Sequence, residues 1–240
     1  MSEHYNIYPC GDHAITIELG KTIDRSANEK VMALFHQLTA LDIHGVKDII
    51  PAYTTLTVVY DIQKIKQQTE LTAYRFMYAK TVAALNTLTT QTIAQQCIKI
   101  PVCYDVSFGI DLPLIAQQKQ ISINEIIQIH TFIQYQVYML GFLPGFAYMG
   151  IVDKRIAAPR LPQPRTTVAA GSVGIAGNQT GIYPLASPGG WKIIGRTPLT
   201  MFDANKENPC LLQPGNTVQF VSITKDEFEK IKQQHEPPHC

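Results

Sequence analysis

From His13 to Leu19 the chain alternates apolar and polar side chains, the period-two signature of a strand with one buried face. Asp24 or Ser26 then offers a helix N-cap, and Ser26-Ala-Asn-Glu29 has capping-box spacing. Val31, Leu34, Phe35, Leu38 and Leu41 follow at helical intervals. Val46–Ile50 and Leu56–Tyr60 are β-rich runs joined by Pro51–Thr55, a second long helix is predicted over much of Gln63–Leu88, and Ile98–Val102 reads as a strand. The predicted order is β-α-β-β-α-β, that of a ferredoxin-like split unit.

The second part opens with a loop through Ser107–Pro113. Ser122-Ile-Asn-Glu125 is another capping box, beginning a helix that carries Ile126, Ile127, Ile129, His130, Ile133, Val137 and Leu140. From Gly141 onward helical periodicity stops. Short β-rich pieces (Thr167–Ala169, Val173–Ala176, Trp191–Ile194, Thr217–Val221) alternate with Gly, Pro, Asn and Ser clusters, predicting an antiparallel barrel or sandwich. The change of character places a domain boundary near residue 95, giving domains 1–95 and 96–240, and Gln233–Cys240 reads as a mobile tail.

Composition narrows the function classes. With 45% hydrophobic and 16% charged residues, the 240-residue chain is ordinary globular protein, and a net charge of +1 argues against a dedicated nucleic-acid or anionic-membrane binder. The N-terminal residues lack a secretory pattern, and no run of about 18 apolar residues is present to span a bilayer. Five scattered cysteines without a C-x-x-C pair fit reduced thiols in the cytoplasm, and no structural metal is expected.

The residues able to carry chemistry concentrate between Gly141 and Thr197. Gly141–Gly150 packs glycines, a proline and aromatics, including Phe142 and Phe146, into a stretch that suits a pocket wall or a tight buried loop. Arg160 and Arg165 stand in a proline-rich segment that limits backbone freedom, and Arg196 follows Gly195; guanidinium groups grip carboxylate or phosphate, or pair structurally. Gly171–Gly177 fails the Walker spacing, since no lysine follows, and also the G-x-G-x-x-G pattern; it reads as a hairpin exposing amides near Gly171 and Ser172. Gly189 and Gly190 precede Trp191, the only tryptophan, which is either a ligand platform or a core residue. His130 falls on the apolar helix face, where a hydrogen-bonded core histidine is the commoner outcome, yet it is the best acid/base candidate.

Taken together, several runs resemble the 5-oxoprolinase B-subunit family, also known as allophanate hydrolase subunit 1 and as the sporulation-kinase inhibitor. They are His130, Val137-Tyr-Met-Leu-Gly-Phe-Leu-Pro-Gly-Phe-Ala-Tyr148, Pro159-Arg160, Pro164-Arg165, Ala170-Gly-Ser-Val173, Gly181-Ile-Tyr-Pro184, Ser187-Pro-Gly-Gly-Trp191 and Gly195-Arg-Thr-Pro198. Gly11-Asp-His-Ala14 is similar to the family's opening strand. The resemblance implies an α+β protein with a ferredoxin-like α/β N-terminal domain and a cyclophilin-like β-barrel C-terminal domain. It further implies two 5-oxoprolinase partners: the C-subunit, which is biotin-dependent carboxyltransferase-like, and the A-subunit, of the lamB/YcsF type. Such a complex opens 5-oxo-L-proline to L-glutamate with ATP, whose place in this chain is left open. Two other roles attach to the same resemblance, inhibition of a sensor histidine kinase and participation in a urea or allophanate carboxyltransferase pathway.

The expected chemistry follows from the substrate. A five-membered lactam is a stabilised amide, and phosphorylation at its oxygen would create a leaving group, which explains ATP use. Arg160, Arg165 and Arg196 are expected to hold anions, His130 to move the proton, and the amides at Gly171, Ser172, Gly189 and Gly190 to line developing charge. Trp191, Phe142 and Phe146 are expected to line the substrate.

Overall fold

The computed structural model of the chain describes residues 5–89 and 97–235, and its contacts divide into two units, Met1–Ala94 and Gln95–Cys240. The expected junction at residue 95 and the end of the tail, 236–240, lie outside the described residues.

In the first unit, β1 (Asn6–Pro9), β2 (Ala14–Glu18), β3 (Val46–Pro51) and β4 (Thr55–Tyr60) form one sheet in the order β1-β2-β4-β3. Its helices are α1 (Arg25–Ala40), α2 (Ile62–Lys66) and α3 (Ala73–Asn86). Ile15, Ile17, Leu56 and Val58 line the buried sheet face against Val31, Leu34 and Leu38 of α1 and Met77 and Ala84 of α3. The Asp24 carboxylate accepts the Ala27 N–H and fixes the start of α1. Asn28, fully buried, donates its side-chain amide to the carbonyls of Ala52 and Tyr53, tying α1 to the β3–β4 turn.

This unit differs from the expected ferredoxin-like order in two places. The outer strand beside β2 is β1, which precedes it in the chain, so the element order is ββαββαα. The strand expected to close that order, Ile98–Val102, pairs within the second unit, on the side of the residue-95 boundary that the expected domain division gives it. The long helix predicted over Gln63–Leu88 is also broken. Asp61 caps α2 by accepting from Gln63 and Lys64, and Thr72 caps α3 by accepting from Arg75. Two caps eleven residues apart favour two helices over one.

The second unit contains β5 (Cys97–Cys103), α4 (Leu112–Lys119), α5 (Ile123–Phe132), β6 (Gln134–Leu140) and β7 (Ala147–Gly150). It continues with β8 (Arg165–Val168), β9 (Ser172–Ala176), β10 (Gln179–Ile182), β11 (Ser187–Gly189), β12 (Lys192–Arg196), β13 (Thr217–Ile223) and α6 (Lys225–His235). Seven strands close a barrel in the order β10-β7-β6-β13-β5-β12-β9, with β9 pairing back onto β10, while β8 and β11 make a separate two-stranded ribbon. The pair β5–β13 is parallel. The helix expected to run to Leu140 stops at Phe132, and Gln134–Leu140 is strand β6. Gln134-Tyr-Gln-Val137 alternates with period two, and Tyr135 and Val137 are the buried pair.

Barrel interior and exterior follow from the pleat. Val173, Ile175 and Ile182 belong to the main core with Val137, Met149, Ile194 and Phe220. Gly174 and Gly181, lying between inward-facing positions on β9 and β10, therefore face outward. They are also directly opposite one another in the ladder. A Cβ on Gly174 would stand 3.0 Å from the Trp191 Cβ; one on Gly181 would stand 3.0 Å from the indole and 3.1 Å from the Phe146 ring. Two absent side chains thus make a notch on the outer barrel wall that seats both aromatics.

Candidate functional site

Over this notch lies a second, smaller core: Phe146, Val168, Ala176, Tyr183, Trp191 and Ile193, with Leu143 and Tyr148 packed at its margin. Phe146 is its hub. Its ring meets Tyr183 at 5.2 Å, Trp191 at 5.3 Å and Phe142 at 5.7 Å, all edge-on, and Tyr148 at 4.8 Å. Edge-to-face contacts of this kind add about 0.5–1.5 kcal/mol each beyond burial. Trp191 is only 5% exposed, so the indole is a packed wall and not an open platform. Phe142 is the outward member: it is 62% exposed, on a turn where its φ is +67°, a left-handed conformation that costs a non-glycine residue about 1–3 kcal/mol.

The arginines divide. Arg160 is exposed, with its guanidinium carbon 5.9 Å from the Trp191 ring centroid, and among the described residues it pairs with no carboxylate. Arg165 begins the β8–β11 ribbon and donates through Nη2 to the Asp111 Oδ1 at 2.7 Å. The other Asp111 oxygen accepts the Ile193 N–H at 2.7 Å, so one buried carboxylate joins the ribbon to barrel strand β12. Arg165 Nη1 is buried and finds no acceptor. Arg196 is elsewhere: its Nε donates to the Ala170 carbonyl at 2.8 Å and its guanidinium lies over Phe108. The structure therefore groups Arg160 and Arg165 with the aromatics and gives Arg196 a structural bond.

Two phenols complete the cluster. Burial pushes the Tyr183 hydroxyl above its ordinary range, opposed by the Trp191 amide and then by the nearby Arg160 and Arg165. Tyr148 is raised by burial and opposed by Arg160. Gly189 is required beside Tyr183, because a Cβ there would overlap the phenol ring and hydroxyl. Gly189→Ala is expected to displace Tyr183 and cost about 1–3 kcal/mol, read as a lower urea midpoint together with altered Trp191 emission. Gly190 lies against Pro164 and accepts the Leu161 N–H through its carbonyl, pinning the Arg160 segment.

The expected oxyanion amides at Gly171 and Ser172 are already committed. The Gly171 N–H donates to the Tyr183 carbonyl at 2.7 Å and that of Ser172 to the Ala169 carbonyl at 3.2 Å. Gly171 is needed for geometry: its φ is +79° and a Cβ would collide with the Thr197 carbonyl. The stretch is buried β-structure and does not fit a phosphate cradle.

His130 is fully buried, stacked on Phe220 at 4.5 Å and flanked by Tyr135 at 5.3 Å. Its Nδ1 is 2.7 Å from the Tyr104 hydroxyl and its Nε2 is 3.0 Å from the Thr180 hydroxyl. Thr180 spends its own proton on the Gly174 carbonyl at 3.0 Å. It must therefore accept from Nε2–H, leaving Nδ1 to accept from Tyr104, and the network assigns the neutral Nε2–H tautomer. Burial pulls the His130 pKa down to about 3. None of the three arginines is among its hydrogen-bond or ring partners. Both nitrogens are engaged in the barrel core, which is the placement of a hydrogen-bonded core histidine and leaves neither nitrogen free for the expected proton transfer.

Sequence reasoning missed Asp111, Tyr183 and Thr180. The only trace of Asp111 was its position in the Ser107–Pro113 loop, and a loop aspartate reads first as a turn residue. A separate open groove of about 440 Å³, lined by Tyr104, Asp105, Ile127, Ser222 and Lys225, carries its own ion pair, Lys225–Asp105 at 3.4 Å. Its lysine is thus compensated, unlike Arg160. Among the described residues no cluster of His, Cys, Asp and Glu is able to hold a metal, and no helix is long and apolar enough to cross a membrane.

Comparison with known proteins gives concordant results. Residues 5–212 match the family described as carboxyltransferase domain, subdomain C and D. The chain is 39% identical to the 5-oxoprolinase B-subunit of Bacillus subtilis (strain 168), covering 98% of this chain and 99% of that one. It is 34% identical to the protein of the same name from Escherichia coli O157:H7, covering 89% and 94%. Its structure is similar to the crystal structure of TTHA0988, with a TM-score of 0.76 at 34% identity over 88% of this chain; the chain spans only 40% of that longer protein.

Proposed function

Because the chain belongs to the 5-oxoprolinase B-subunit family, we propose that it acts as one component of an ATP-dependent complex that cleaves 5-oxo-L-proline to L-glutamate. The observation that carries this reading is end-to-end similarity to proteins of that name, 39% identity with nearly complete coverage of both chains. The partners are the biotin-dependent carboxyltransferase-like C-subunit and the lamB/YcsF-like A-subunit. ATP is assigned to the complex, with its site outside the Gly171–Gly177 stretch.

This chain's share of the active site is the outer face built on Phe146 and Trp191, with Gly189 making room for Tyr183 and Gly190 pinning the Arg160 segment. Arg160 and Arg165 supply positive charge there, Phe142 an exposed apolar contact, and the barrel behind them a rigid base. Lactam opening turns a neutral amide into a carboxylate and an ammonium, and a phosphorylated intermediate adds negative charge before that. Guanidinium groups beside a dry aromatic wall stabilise such charge more strongly than they would in water.

Reconstitution tests the reading. The chain is mixed with its two partner proteins and glutamate release from 5-oxoproline is followed with and without ATP. Release that requires ATP and all three chains is expected. No turnover above background from a complex shown to be assembled would reject the assignment, and capture of a sensor kinase in its place would favour a regulatory role.

A further inference from the structure

The polar groups around the Tyr183 hydroxyl are donors and cations: the Trp191 amide, Arg160 and Arg165. Arg165 Nη1 is buried and unpartnered, although Nη2 of the same guanidinium is held by Asp111. Arg165 is the cross-strand partner of Gly189, whose absent side chain lets the Tyr183 hydroxyl come against the ribbon backbone. The Trp191 amide, Arg160 and Arg165 all face the Tyr183 oxygen and favour negative charge there. Arg160, over the Trp191 ring, is the second cation in reach of Tyr183 and has no carboxylate partner among the described residues. The carboxylate of Asp111 is used up by Arg165 and the Ile193 amide.

A buried donor left without an acceptor is destabilising, and the fold places one, Arg165 Nη1, close to the Tyr183 phenol and to the uncompensated cation of Arg160. We propose that Arg160, Arg165 and Tyr183 form a subsite on this chain alone for a small oxyanion, the carboxylate or phosphate group of a low-molecular-weight ligand. Arg165 Nη1 and the Tyr183 hydroxyl donate from the base of the subsite. Arg160 closes it from the solvent side, moving off or along the indole as the ligand enters. Tyr183, inside the Gly181-Ile-Tyr-Pro184 run, is a ligand-orienting residue, and Gly189 sets the space available beside it. The inference rests on the reading that this face is the chain's part of the active site, but it requires no partner for binding.

The isolated full chain is titrated with sodium L-5-oxoproline, with sodium phosphate and with sodium chloride at matched ionic strength. Affinity is read by calorimetry and location by emission of Trp191, the sole tryptophan. Saturable binding of either oxyanion with a change in Trp191 emission, and none with chloride, is expected; the two oxyanion arms show whether carboxylate or phosphate is preferred. Arg160→Gln, an exposed position, is expected to weaken binding at least tenfold. Tyr183→Phe, which keeps the ring, is expected to weaken it at least threefold, and Arg25→Gln in the first unit to leave it unchanged. Absence of saturable oxyanion binding, or undiminished affinity in the Arg160→Gln and Tyr183→Phe variants, overturns the proposal. An inactive reconstituted complex with oxyanion binding intact removes the oxoprolinase reading alone. An active complex in which this chain, when isolated, binds neither oxyanion removes this inference alone.

Discussion

Replacing His130 with alanine is expected to lower the folding free energy by about 3–5 kcal/mol, the combined cost of a buried cavity and an orphaned Tyr104 hydroxyl. The ring fills space between Phe220 and Tyr135 and bonds at both nitrogens, so nothing nearby replaces what it does. A more selective signature lies in the pH dependence. The folded-state pKa is lowered to about 3 by burial, whereas an unfolded histidine titrates near its ordinary 6.5. Above 6.5 the ring is neutral in both states and contributes no pH dependence. As pH falls below 6.5 the unfolded chain takes up a proton that the folded chain refuses. Stability is therefore lost at up to about 1.4 kcal/mol per pH unit until the folded pKa is reached. His130→Phe retains the stacking and is expected to abolish this share of the slope. Urea denaturation of both proteins between about pH 7 and pH 5 measures it; parallel slopes would show that His130 is not the buried neutral group described.

Asp111→Ala is the second large effect. One carboxylate holds the Ile193 amide and the Arg165 guanidinium, with Asp111 5% exposed and Arg165 28% exposed. Its removal leaves a buried N–H and a half-buried cation without an acceptor. Losing one partner of a buried pair costs about 3–5 kcal/mol; the partial exposure of Arg165 allows water to recover some of this, leaving about 2–4 kcal/mol. Asp111→Asn keeps an oxygen for the Ile193 amide and is expected to lose roughly half as much. The oxyanion affinity should fall in both variants, because Arg165 is no longer aimed. Thermal unfolding and calorimetry on the two variants check the order Ala worse than Asn; equal and small losses would mean that the clasp is not structural.

How far the sequence reveals this molecule depends on whether the information is local. The strand at Ala14–Glu18 and the capped helix from Arg25 were readable because period and cap lie within a few residues of each other. Strand β6 was not, since Ile133, Val137 and Leu140 fit a helical stripe as well as Tyr135 and Val137 fit an alternation. Strand β5 was counted into the first unit's β-α-β-β-α-β order, although the boundary at 95 left it in the second domain, because its parallel partner, β13, begins at Thr217 and nothing local names a partner that distant. The same division applies to the site. Arg160, Arg165 and Arg196 look equivalent by residue type, yet a carbonyl at Ala170 claims one and a carboxylate at Asp111 half-claims another. His130 sat on an apolar face, and the fold supplied the two bonds that a core histidine needs. Gly174 and Gly181 revealed their purpose only once the ladder set them opposite each other beneath Trp191.

On the proposed reading the outer face is where this chain meets its substrate, and Arg160 tests that most directly. The residue is exposed and pairs with no carboxylate among the described residues, so Arg160→Gln should leave the urea midpoint unchanged. A charge-assisted hydrogen bond lost from the site corresponds to about 1.5–3 kcal/mol. ATP-dependent glutamate release by the complex assembled with Arg160→Gln is thus predicted to fall about 10- to 150-fold. Undiminished turnover from a folded, fully assembled Arg160→Gln complex would contradict the account and move the chemistry off this face.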